Sequence, residues 1–177
     1  AGVGSFGFNL TSLTFGAVLV SDTNNTPTNT SDDTNYMALK VDVASATLTG
    51  LDGLSASVTS LSVVVNKTSS TQTPNKVLDF VDTAAATNDT PADNAAVSRT
   101  IATGPSSANV TLDMDGDEGA LTQVMTALTL DVFGFVKLTG SLAFKQATGN
   151  FVLTNGHTSA AWNGVKYLEV GGTVGTG

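Results

Sequence analysis

The chain has 177 residues, 41 % hydrophobic and only 12 % charged, with 15 Asp and Glu against 7 Lys and Arg for a formal net charge of −8, and no cysteine. That hydrophobic fraction excludes wholesale disorder, which needs low hydrophobicity and high charge density. Absent cysteine excludes disulfides and Cys-ligated metal sites, and the acidic balance excludes binding led by nucleic-acid phosphates, whose affinity comes from Lys and Arg. No apolar run approaches the ~20 residues of a membrane-spanning helix, so no membrane insertion is expected.

Apolar residues recur with period two along most of the chain, the mark of half-buried strands. Strands are predicted at residues 6–10, 13–20, 36–48 and 54–65, with a weaker one at 77–81. Between Val58 and Leu61 the parity slips by one, which a β-bulge explains. Residues 109–115 alternate, with Val110, Leu112 and Met114 on one face. A longer alternation places Leu128, Leu130, Val132, Val136, Leu138, Leu142 and Phe144 together as the expected core. Gly134 and Gly140 keep its parity without side chains, so bends or close backbone approaches are expected there. Further strands are expected at 151–154 and 165–170. No helix is predicted.

Turn signals are dense: Asp52-Gly53, Asp115-Gly116, Thr148-Gly149 and Asn155-Gly156 read as tight hairpin turns. Hairpins mean antiparallel neighbours. Two polar tracts, 21–35 and 66–108, hold all four prolines and read as long loops. An internal echo relates Leu39-Lys40-Val41-Asp42-Val43, leading to Leu48-Thr49-Gly50, with Leu128-Thr129-Leu130-Asp131-Val132, leading to Leu138-Thr139-Gly140. It predicts two related sheet halves in one unit. The fold expectation is a single all-β module over 1–177, a mostly antiparallel elongated sheet or sandwich, with a β-solenoid as the alternative.

Chemistry-bearing patterns are few. Gly2-Val3-Gly4-Ser5-Phe6-Gly7 matches a dinucleotide fingerprint in letters, but no strand precedes it and a strand pattern follows, so it reads as a glycine-rich junction. Asp113, Asp115, Asp117 and Glu118 cluster around a turn and offer the hard oxygen ligands that calcium takes. Their spacing departs from an EF-hand loop, and a hairpin turn with solvated acids is the plainer reading. His157 is the only histidine, beside an Asn-Gly turn, with no G-x-S-x-G elbow to serve a triad. Trp162, Tyr36 and Tyr167 are too scattered for a sugar-stacking platform. Six N-x-S/T sequons, at Asn9, Asn24, Asn29, Asn66, Asn88 and Asn109, are glycan acceptors in a cell that has the machinery.

The second half resembles a known family. Val110-Thr-Leu-Asp-Met-Asp-Gly116, Leu121-Thr-Gln-Val124, Leu130-Asp-Val-Phe-Gly-Phe-Val136 and Leu138-Thr-Gly-Ser-Leu-Ala-Phe-Lys145 look like tandem repeats of giant LEPR-XLL-type bacterial surface proteins. The segments 13–20, 36–40, 51–54 and 63–66 fit as well. The resemblance implies one repeat unit of a secreted or cell-surface, adhesin-like chain, and it brings no catalytic residues.

The function expected from these readings is a structural or adhesive module of an extracellular fibre, stalk or matrix, not an enzyme, and without cofactor. Its partners are copies of itself or neighbouring repeats. The termini, 1–10 and 169–177, are rich in Val, Gly and Thr and nearly uncharged; Phe6, Phe8, Leu10, Val170 and Val174 are the expected assembly junction. Successive repeats of one polypeptide, or separate subunits donating the strand 6–10, both fit. A calcium-assisted carbohydrate-binding module that recognises surface glycans is the competing reading.

Overall fold

The computed structural model describes residues 7–26, 28–71, 76–81 and 97–176. Its frame is an open six-stranded sheet in the order β1 (Gly7–Asp22), β2 (Thr34–Thr49), β3 (Leu54–Thr68), β6 (Leu121–Val132), β7 (Val136–Thr154) and β8 (Ser159–Thr176). Every neighbouring pair is antiparallel. The elongated antiparallel sheet is therefore the architecture realised, with strands two to three times the usual five or six residues. Thr and Val fill these strands because their branched β-carbons suit a pleated backbone.

The hairpins follow local chemistry. Gly53 holds a positive φ of 78° between β2 and β3, and Gly156 one of 88° between β7 and β8. Asn155 Oδ1 accepts from the amides of His157 and Thr158 at 2.9 Å each, the side-chain closure that Asn brings to turns. The alternation 128–144 breaks at a third hairpin: Gly134 has φ 70° and its amide donates to Asp131 Oδ1 at 2.9 Å. Gly140 remains inside β7, where a Cβ would collide with the Thr173 carbonyl oxygen, so the close approach expected there is present.

A small layer covers part of one face. β4 (Arg99–Ile101) pairs with β5 (Val110–Leu112), and the extended segment 76–81 lies alongside. Val110, Leu112 and Met114 pack with Phe80 onto Ala38, with Val18, Val64, Leu78 and Ile101 around them. Gly16 allows this approach, since a Cβ there would stand 3.0 Å from Val110 Cγ1. Asp79 fastens the cap by accepting from the Gly116 amide at 2.8 Å.

Several expectations need correction. Residues 77–81 form no strand; their backbone is held by the Phe80 amide on the Met114 carbonyl at 3.0 Å. Asp115-Gly116 is not a hairpin turn but opens a 3-10 turn, Gly116–Glu118, because β5 turns back on β4 while β6 joins β3. Thr148-Gly149 stays within β7, opposite Lys166 and Val165, and is followed by a register shift. The two echoed segments are not equivalent halves: the first runs along β2 to its end, the second crosses the β6–β7 hairpin. The seven residues expected as the core share one face, but Val136, Leu138 and Phe144 are exposed. The cap sits on the opposite face, and among the described residues no layer covers theirs.

Candidate assembly surface

Directly paired residues in an antiparallel sheet project to the same side, so the register defines two faces. The capped face carries Val18, Ala38, Asn66 and Leu121 at its covered end. Below the cap it turns to hydroxyls, with Thr47, Ser57, Thr129 and Thr139 in one cross-strand row. Between these ends a shallow trough of about 670 Å³ is lined by Thr14, Asp42, Ser62 and Ser141 among small neighbours.

Between the rows of Leu10 and Ala17 the other face is predominantly apolar across all six strands. One row reads Phe15, Val41, Val63, Val124, Phe144, Val170; the next reads Leu13, Val43, Leu61, Thr126, Leu142, Gly172. Sequence parity in β1, β2 and β3 slips between these rows and the row of Leu10, Ala46, Val58, Leu128, Gly140, Val174. The slips are aligned. Ser12 takes φ 53° and drops out of the pairing, and β3 shifts register between Val58 and Ser60, as its sequence parity predicts. An extra residue absorbed in each strand returns the next apolar side chain to the same face. Each strand's alternation is legible alone; the continuity of the face needs the register.

The sequence-predicted junction residues fall on this frame. Phe6 lies outside the described residues, and Phe8 holds its place in β1 opposite Leu48. Leu10 on β1 and Val170 and Val174 on β8 project from the apolar face at its two opposite edges, all exposed. Leu10 and Val174 end the same row. Among the described residues each edge strand is bonded on one side only, and from Gly7 to Ser21 the β1 edge carries no charge and no proline. Charges and proline are the devices that keep edge strands from recruiting another chain.

The acidic cluster is distributed over separate tasks. Asp113 pairs with Lys40 at 2.9 Å and Glu118 with Lys145 at 2.6 Å, both on the capped face. Glu118, by hydrogen bond and charge, raises the Lys145 pKa above its ordinary value, with Tyr167 and Glu169 adding and burial opposing. Asp115 caps the 3-10 turn by accepting from the Asp117 amide at 2.9 Å. Among the described residues no three His, Asp or Glu side chains converge to hold a metal ion.

Of the sequons, Asn88 lies outside the described residues, while Asn9, Asn24, Asn29 and Asn109 are exposed. Asn66 is fully buried and its amide donates to the Leu78 carbonyl at 2.6 Å, so a glycan on Asn66 is incompatible with this fold. His157 is exposed in the β7–β8 hairpin. Tyr167 meets Phe151 edge-on at 5.2 Å, and Trp162 stands half exposed on β8. The sequence reading missed β4, whose three residues lie inside a polar tract.

Comparison with family models, curated proteins and solved structures returns no match.

Proposed function

We propose that the chain is a structural module of an extracellular or cell-surface fibre, and that copies join edge to edge, β8 of one against β1 of the next. The carrying observation is the pair of open edges at opposite ends of an even-numbered meander. Six alternating strands leave β1 and β8 antiparallel to one another, so a translated copy continues the sheet without reversing its pattern. The start of β1 and the end of β8 lie at the same end of the sheet, through the chain of partners Gly7, Thr49 and, by way of Leu54, Val132 and Val136, Thr176. Donation of 6–10 into a neighbour fits less simply, because Gly7–Leu10 already pair with Ala46–Thr49. The calcium-assisted carbohydrate reading needs four acids on one ion, whereas two of them lie against lysines.

The spacing of copies tests the reading. Edge addition advances a fibre by six strand spacings, about 29 Å per copy, whereas stacking along the strands advances it by roughly 50 Å. Electron microscopy of tandem chains of increasing copy number should show the shorter increment. The longer increment, or compact particles that do not lengthen, would overturn the edge joint. Deleting residues 1–10 from the single chain should leave short or monomeric particles, while fibres of unchanged length count against it.

A further inference from the structure

The geometry points to a second contact, distinct from the edge joint: the apolar face is buried against the same face of a second copy, giving a two-layer sandwich. The rows from Leu10 to Ala17 and their partners across six strands contain no charged residue, while Lys40, Asp42, Lys145 and Glu169 all project from the capped side. Leu13, Phe15, Phe144, Leu168 and Val170 stand exposed on it, some more than half. Isolated exposed apolar residues are ordinary, but a contiguous patch of this extent marks an interaction surface.

Its size fits a partner of its own kind. From Thr122 to Val132 the face runs about 33 Å, and five strand spacings add about 24 Å, roughly 800 Å² in all. That is about the area each partner contributes to a stable protein interface. The face also holds both halves of a self-complementary surface, with Phe15 and Phe144 as projections and Ala46, Gly140 and Gly172 as recesses. A two-fold axis brings a surface of this kind against its own copy, at the ~10 Å separation of packed sheets. The inference does not rest on the edge joint.

Native cysteine is absent, so introduced thiols report contacts cleanly. Val124→Cys lies on a central strand. In an edge-joined assembly its copies stand about 29 Å apart, but across a sandwich they come near the ~10 Å sheet separation. A bismaleimide of that span should give covalent dimers of the full chain, and Phe144→Lys in the same chain should abolish them. Thr139→Lys, on the capped side, should leave them unchanged, with circular dichroism verifying strand content in each variant. No cross-link at Val124→Cys in folded protein overturns the inference, whether or not the edges still join. So does stoichiometric binding to phosphatidylcholine vesicles that protects this face, since a lipid surface is then its occupant. Val124→Cys dimers without any edge joint would leave this inference standing and remove the other.

Discussion

The side-chain amide of Asn66 donates to the main-chain carbonyl of Leu78 at 2.6 Å, and so ties the segment 76–81 to β3 from a fully buried position. A carboxylate in its place has no proton to donate and sets a charge against a carbonyl oxygen. Asn66→Asp should therefore cost about 3 kcal/mol or more at neutral pH, read by urea unfolding. It should recover part of that stability in acid, where the carboxyl is protonated and donates again. An Asn66→Asp chain as stable as the parent would show that this bond does not hold the cap.

Gly16 is the contact point between cap and sheet. A Cβ there meets Val110 Cγ1 at 3.0 Å and Ile101 Cδ1 at 3.1 Å. Gly16→Leu should destabilise by about 1–3 kcal/mol, the usual cost of overfilling a packed site. Adding Val110→Ala should return much of that loss. If Gly16→Leu stabilises the chain, the gain in strand propensity outweighs the packing and the cap is not close-packed on the sheet.

Lys145 brings a pH dependence. Its pKa is raised in the folded state by Glu118, first by the hydrogen bond and then by charge. A raised cation pKa contributes stability that is complete below the unfolded value, near 10.5, and disappears as pH climbs through the folded value. Stability should fall in that alkaline window, and Lys145→Met should remove this part of the fall. The pair is partly exposed, so the effect should be small and reduced by salt.

Much of the fold was legible because alternation is local. The strands, the Val58–Ser60 bulge and the hairpins at Gly53 and Gly156 are each written in a few adjacent residues. What needed the structure was non-local. The Asp115-Gly116 pair has the letters of a hairpin turn, but β5 finds its partner in β4, which a polar tract conceals. Leu128 to Phe144 read correctly as one face, yet periodicity says only that a face is apolar, not which side of the sheet receives a cover. Composition alone marks the junction residues. Their placement at the ends of one row depends on register through four intervening strands, which no single segment carries.

The edge joint is tested most directly by the chain carrying both Leu10→Cys and Val174→Cys, which end the same row on opposite edges. Neighbouring strands lie about 4.8 Å apart, within the Cα separation that a disulfide closes. Mild oxidation should therefore convert the protein into a covalent ladder on a denaturing gel, collapsed by reductant. A Leu19→Cys and Val174→Cys chain, offset by several rows, should give no ladder. Ladder formation by the matched pair alone is the result the account predicts. A folded, concentrated matched-pair protein that stays monomeric on the gel, or ladders no better than the offset pair, would contradict it.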